Sequence, residues 1–506
     1  MAKRKRSRSH SASPPAHRTD GEAADDDTST PGSPIQDPLL AAVSLGPDRE
    51  PEPGRLLKGD SEANSISAQP PRPGRATLGE AARGGPKAWL HILGPGLITG
   101  ASDDDPSGIG TYSQVGSQFG LGMLWTPIFT FPLMAAVQEL CARVALHTGV
   151  GLGVALRRRF PAWLIGVSIL ALFVANTLNV GADLGAVATG VAMLTPRHPS
   201  QIVLVVLAAA LVLGLQLFVS YQLIFRVFKW LTLVLFAYVI TGFIAHPPLA
   251  TILLASLIPH IEFNGTFVTA LVAVLGTTIS PYLFFWQASS EVDEMRAAGL
   301  TREAERRGVK RSELRAARAD ILIGMFFSNL VMYFIILTTG AVLHAHGKTA
   351  VETGTQAAAA LRPLLGSFSS VAFALGLIGT GLLAIPILSG SAAYAVKEFF
   401  GLRGSLASRP RYRPTFYAIM AVSTLSGLGM NFLHIDPIRA LFYVAVINGV
   451  VAPPLVVLIV LLGSDRRVMG KRASGPLSLA LTWLTAGIMT LAALAMIVSF
   501  IPGSPI

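Results

Sequence analysis

The sequence predicts an all-α integral membrane fold of eleven transmembrane helices, with the first and sixth discontinuous. Three observations carry that expectation. The 506 residues are 51% hydrophobic, with mean hydropathy +0.55, and only 14% are charged, against about 25% in an ordinary soluble protein. From Trp89 onward, apolar segments long enough to cross about 30 Å of hydrocarbon follow one another between short polar connections. Lysine and arginine are also partitioned, with 22 in alternate connections and 4 in the others.

Residues 1–85 form a separate region, opening on MAKRKRSRSH and rich in Pro, Ser and charge. Such composition cannot bury enough apolar surface to fold, so a disordered tail is expected. The KRKRSR run and the net charge of +11 invite a nucleic-acid reading. Beside a polytopic core, basic residues fit the cytoplasmic face and anionic headgroups better, so no nucleic acid and no obligate protein partner is expected. The tail contains no apolar signal-peptide segment, so the first span is expected to direct insertion. The single cysteine, Cys141 in LMAAVQELCARVAL, excludes a disulfide framework and reads as a packing residue.

The transmembrane domain, 86–506, divides into spans near 89–120, 121–146, 162–194, 201–220 and 223–245, then 266–290, 320–343, 367–396, 414–433 and 437–463, with an eleventh near 477–500. The basic connections hold Arg157 to Arg159, Arg226 and Lys229, the stretch from Arg296 to Arg318, Lys397 to Arg413, and Arg466 to Arg472. The others hold only Arg197, Lys348, Arg362 and Arg439. The positive-inside rule then places the N-terminus in the cytoplasm and the C-terminus outside, in a plasma membrane.

Two spans carry a defect. SDDDPSGI, from Ser102 to Ile109, sets Asp103, Asp104, Asp105 and Pro106 inside the first, and TISPYLFFW sets Pro281 inside the sixth. Proline removes a backbone donor and disrupts the turn before it. Each carboxylate at membrane depth costs at least about 2.5–3.5 kcal/mol, which makes function the default reading. Exposed backbone inside a bilayer is tolerated only where it lines a polar cavity or is buried in protein. The two breaks stand five spans apart. That spacing suits an inverted five-plus-five repeat, and paired breaks point to the midplane site of a secondary transporter.

The residues around the first break resemble a family. GPGLITGASDDDPSGIG, QELCARVALHTGVGLG, GADLGAVATG and FALGLIGTGLLAIPILSGSAAYAV are similar, in order and spacing, to segments of the natural resistance-associated macrophage protein (Nramp) metal-ion transporters, over residues 88–460. The resemblance implies alternating access around the two broken helices and a divalent metal ion as cargo, with no cofactor. In the family, metal is held by an Asp and an Asn of the first helix, and by a Met side chain and an Ala carbonyl at the sixth-helix break. Here Asp105 keeps the carboxylate, while Gly108, Ser280 and Thr277 stand at the other three positions. The thioether, which favours softer metals, is replaced by oxygen. Mg²⁺ gives up its waters reluctantly and is held through one or two carboxylates, so a roomy oxygen-lined site suits it. The pattern resembles the Nramp-related magnesium transporter branch, whose members carry Mg²⁺ and also Mn²⁺.

The family's symporters carry two histidines after the sixth-helix proline and an acid after the third-helix Asp. Here Tyr282, Gln287 and Ala186 occupy those positions, and Asp183 remains. Without imidazoles, the expectation is a carrier driven by membrane potential; a dication entering at about −100 mV gains about 4.6 kcal/mol. Asp103 and Asp104 are expected to hold hydrated ion in a vestibule, cap the second half-helix or reach water. Asn448 is expected either to bond between helices or to stand behind the ion path. The rivals are a proton-coupled Mn²⁺ or Fe²⁺ symporter and an amino-acid transporter of the same fold, although three Asp would oppose a substrate carboxylate. A hydrolase is disfavoured because the spans lack a ligand set of histidines, so no enzymatic activity is expected. His344 and His346 read as a solvated outer loop. Gly376, Gly379 and Gly381 read as helix contacts, not a phosphate loop. The stretch from Arg296 to Arg318 reads as a solvated amphipathic helix.

Overall fold

The computed structural model describes residues 95–195, 199–219, 233–245, 248–351, 353–406, 408, 410–433 and 435–501. The expected tail, the first residues of spans one and five, and Arg197, Arg226 and Lys229 lie outside the described residues. The described regular structure is entirely helical.

Helix α1 (Pro95–Asp103) and α2 (Pro106–Phe119) are the two halves of the first span, followed by α3 (Thr126–Thr148), a short α4 (Leu152–Arg159), α5 (Ala162–Leu194), α6 (Gln201–Phe218), α7 (Phe236–Ile244) and α8 (Leu249–Leu257). The sixth span is likewise split into α9 (Gly265–Thr278) and α10 (Pro281–Ala297). After it come α11 (Arg311–Val342), α12 (Ser369–Phe400), α13 (Pro414–Met430), α14 (Pro437–Ser464) and α15 (Pro476–Ser499). Proline stands in the first turn of α2, α3, α10, α13, α14 and α15, where its missing N–H has no helical acceptor to lose. Among the described residues, nine helical stretches are long and apolar enough to cross a membrane. The two expected spans outside this set are the first, which carries the three Asp, and the fifth, of which 220–232 is undescribed. The seventh begins at Arg311, well before the expected 320, because Glu313 reaches back to the Lys310 amide (2.9 Å) and starts the helix there.

Small residues let these helices approach closely. A methyl group on Gly276 of α9 would meet the Ala445 carbonyl of α14 at 2.1 Å, and one on Gly100 of α1 would meet Gly324 of α11 at 2.2 Å. Both broken helices are therefore clamped backbone to backbone against continuous ones. Cys141 is a free thiol fully buried in the apolar core around α3.

Three of the connections expected on one side meet among the described residues. Arg158 pairs with Glu303 (2.7 Å), Arg159 with Asp465 (2.5 Å), and Arg306 Nε donates to the Gly149 carbonyl (2.9 Å). On the other side His344 Nδ1 lies 2.8 Å from the Ser117 carbonyl, and the Val351 amide donates to Gln114 (2.9 Å). The solvated amphipathic helix expected over 296–318 is corrected. The chain there forms the end of α10, a single turn at Glu303–Arg306 and the start of α11. Arg306 is 2% exposed, donating also to the Leu300 and Thr301 carbonyls. Burial opposes the charge of Glu303, but the hydrogen bonds and charges of Arg158 and then Arg307 outweigh it and hold the carboxyl at about 2.

Candidate functional site

The first break is built by Asp105. Its backbone is extended (φ −72°, ψ 169°), and its Oδ1 accepts from the Gly108 amide at 2.9 Å, so this residue is itself the N-cap of α2. That corrects the expectation that Asp103 or Asp104 caps the half-helix. Ser107 Oγ donates to the same oxygen at 2.5 Å. Oδ2 faces two other helices: Asn179 of α5 donates from Nδ2 at 3.1 Å, and Tyr282 of α10 from its hydroxyl at 3.3 Å. The Tyr282 hydroxyl has one proton and also lies 2.8 Å from the Ser102 carbonyl, so it divides that donation. Asp105 is 1% exposed, and this shell of donors is what a buried carboxylate requires.

The second break is made differently. Helix α9 ends at Thr278, and Ser280 (φ −72°, ψ 130°) precedes α10 without capping it. Its hydroxyl turns back onto the carbonyls of Thr277 (2.7 Å) and Gly276 (2.9 Å), satisfying groups that the end of α9 leaves free. The two breaks meet where Ser107 Oγ lies 3.3 Å from Thr277 Oγ1. Thr278 contacts the Met332 sulfur at 3.6 Å. All the recorded contacts of the Asp105 carboxylate are with oxygen and nitrogen.

Gly108 was expected to leave room. A methyl group there would meet the Tyr112 ring at 3.2 Å and Thr277 Oγ1 at 3.5 Å, so Tyr112 borders the space that a longer side chain would use.

The three consecutive carboxylates separate into a pair and a single group. Ser328 of α11 donates to Asp103 at 2.5 Å and lies 3.3 Å from Asp104; Asp103 is 1% exposed and Asp104 8%. No group of three or more His, Cys, Asp or Glu able to hold a metal occurs among the described residues. Any cation at the break would therefore meet one carboxylate and neutral donors. Asp183 is fully buried, one turn beyond Asn179 on α5, and both its oxygens lack a hydrogen-bond partner among the described residues. Asn448 of α14 is buried, and neither its Nδ2 nor its Oδ1 has a hydrogen-bond partner among the described residues. Gln287 does not face Asp105. It accepts from Thr99 of α1 (2.5 Å) and donates to Glu291 (3.0 Å), tying α1 and α10 together. Ala186 is buried in apolar surroundings.

Ser107, Asn179, Tyr112, Ser328 and Asp320 did not emerge from the sequence. Asp320 of α11 accepts from the Gly96 (2.8 Å) and Leu97 (3.1 Å) amides and caps α1 from a different helix. The one available signal was the helical spacing of Asn179 and Asp183, which places them on one face.

A family model described as natural resistance-associated macrophage protein-like matches residues 96–499. The chain belongs to the Nramp family. It is 26% identical over 390 residues to the divalent metal cation transporter MntH of Klebsiella pneumoniae, covering 76% of this chain and 88% of that one. Against MntH of Aeromonas hydrophila it is 25% identical over 418 residues, covering 78% and 92%. In fold it is similar to a manganese transporter of Eremococcus coleocola crystallised with an aromatic bis-isothiourea compound: TM-score 0.63 at 16% identity, covering 86% of this chain and 92% of that one. Mhp1, a nucleobase-cation-symport-1 family transporter, shares the fold more distantly, with TM-score 0.51. The family match spans both breaks, and the fold is shared with membrane transporters.

Proposed function

We propose that this Nramp protein is a multi-pass, eleven-span carrier of divalent metal cations that moves hydrated Mg²⁺, and Mn²⁺ as a second cargo, by alternating access, with its N-terminus in the cytoplasm. Divalent metal transport is supported by family membership and by relatives named for it. The cargo reading rests on one observation: Asp105, the one carboxylate at the junction of the breaks among the described residues, is ringed by hydroxyls, an amide side chain and a backbone amide, with neither sulfur nor imidazole among its described partners. Hard oxygen ligands suit Mg²⁺ and Mn²⁺, whereas thioether shifts preference toward softer ions. Asp105 supplies the charge, and Thr277, Ser280 and Gly108 shape the wall. A single carboxylate suits an ion that keeps several of its waters. In this reading the metal is cargo, and no cofactor or catalytic step is involved.

A second reading keeps the fold and couples metal to protons. It is favoured by Asp183, a buried carboxylate with no hydrogen-bond partner among the described residues. Uptake into proteoliposomes held at negative potential, with Mg²⁺, Mn²⁺ and Ca²⁺ offered separately and internal pH followed, tests both. Mg²⁺ and Mn²⁺ entry without acidification is expected. Acidification that tracks metal entry and vanishes in Asp183→Asn overturns the uncoupled reading, and failure of Mg²⁺ to enter overturns the cargo.

A further inference from the structure

Far from Asp105, on the face that carries the arginine-rich connections, a cavity of about 280 Å³ is lined by Arg143, Arg311, Leu314, Arg315, Arg472 and Ala473. Three separate parts of the chain converge there: the end of α3, the first turns of α11 and the connection between α14 and α15. Four arginines line this cavity, Arg311 and Arg315 among them exposed, and like charges brought together favour an anion or an acidic partner between them. Glu139 supplies one partner: it pairs with Arg143 and accepts from Ser478 at 2.8 Å. Arg143 also donates to the Arg472 carbonyl at 3.5 Å, tying two walls of the cavity together. Arg311, Arg315 and Arg472 have no ion-pair partner among the described residues. Elsewhere on this face Arg158 and Arg159 each meet a carboxylate. Here three arginines without such a partner converge on one cavity.

We infer that this cavity binds a phosphate-bearing anion, the headgroup of an anionic phospholipid at the membrane surface. Guanidinium groups match phosphate oxygens by paired, charge-assisted hydrogen bonds, and Leu314 and Ala473 give the rim apolar surface for a glycerol or acyl end. Basic pockets between transmembrane helices are suited to such headgroups. A soluble phosphate offers the same chemistry without the apolar end, and competition separates the two sources.

The test uses the full-length protein, delipidated in a zwitterionic detergent, with binding of short-chain phosphatidylglycerol and phosphatidylcholine followed by native mass spectrometry. Phosphatidylglycerol is expected to bind and phosphatidylcholine not. The double variant Arg311→Gln/Arg315→Gln should bind about thirtyfold more weakly and Arg472→Gln about fivefold, given the attraction each basic residue adds at a membrane surface. Lys348→Gln, on the opposite face, should bind as the wild type does. Arg472→Gln serves alone if the double variant does not fold. Displacement of the lipid by equimolar inorganic phosphate would keep the site and assign it to a soluble anion. Equal retention in wild type and folded variants, or equal binding of phosphatidylcholine, overturns the inference. Because the readout is binding and not transport, the outcome is independent of the cargo reading.

Discussion

The two broken helices look alike in sequence, each a proline inside an apolar span, yet they solve the break in opposite ways. At the first, the exposed amides of α2 are met by a charged side chain, and Asp105 is in turn held by Ser107, Asn179 and Tyr282. At the second, a neutral hydroxyl is spent on its own carbonyls, with Ser280 bonded back to Thr277 and Gly276. One break concentrates charge; the other satisfies backbone and stays neutral. A site made from the pair therefore has one negative centre and a polar wall, an economical way to attract a cation without trapping it.

Breaking the first half of that comparison should have the largest effect. Asp105→Asn is expected to reduce metal uptake to that of protein-free liposomes, because an amide supplies no attraction to offset a dication's lost hydration. Retained folding is checked by size-exclusion chromatography. Uptake at the wild-type rate would remove Asp105 from the site.

Making the second break resemble a soft-ligand site sharpens the contrast. Ser280→Met deletes the hydroxyl that covers the α9 carbonyls and adds a thioether, so competition uptake should shift from Mg²⁺ toward Mn²⁺ or Cd²⁺. An unchanged preference in a folded variant would place selectivity elsewhere.

A smaller loss is expected from Asn179→Ala, which leaves Asp105 in place but removes a donor that orients it. The apparent affinity for the transported metal should fall by about tenfold with the maximal rate little changed, the usual cost of losing a supporting contact. A pure rate defect would instead make Asn179 part of the moving machinery.

The smallest effect lies far from both breaks. Glu303 has its folded-state carboxyl depressed to about 2 from the ordinary 4.5, so its bonds to Arg158 and Arg307 stabilise the fold fully above about pH 4.5 and are lost as pH falls toward 2. The pair is partly exposed, so the contribution is less than about 1 kcal/mol. Melting temperatures of wild type and Glu303→Gln should differ slightly at pH 7 and converge near pH 2. A constant difference would assign the effect to packing.

How much of this was legible in the sequence follows from what a linear pattern can carry. Pro106, Pro281 and the Asp triplet stand out because each violates an apolar run, and Asp105 could be singled out by its place before the proline. The helix faces that meet across space leave no such trace. Asn179 and Ser107 are unremarkable polar residues until α5 and α2 are packed together, and Asp320 is one acid at a helix start until its oxygens reach Gly96 and Leu97. Arg306 misled for the converse reason: a basic run predicts solvent, but three backbone carbonyls satisfy this guanidinium in the interior. The triplet itself misled, because the chain turns at the break: Asp103 and Asp104 face Ser328 of α11, and only Asp105 faces the junction.

The transported cation is proposed to sit at Asp105, between the two breaks. Anomalous diffraction from crystals soaked in Mn²⁺ tests it most directly. A peak is expected beside the Asp105 carboxylate, within about 2–5 Å depending on whether water intervenes, and it should disappear in crystals of Asp105→Asn. A peak at Asp183 or at the Asp103 and Asp104 pair, with none at Asp105, would contradict it.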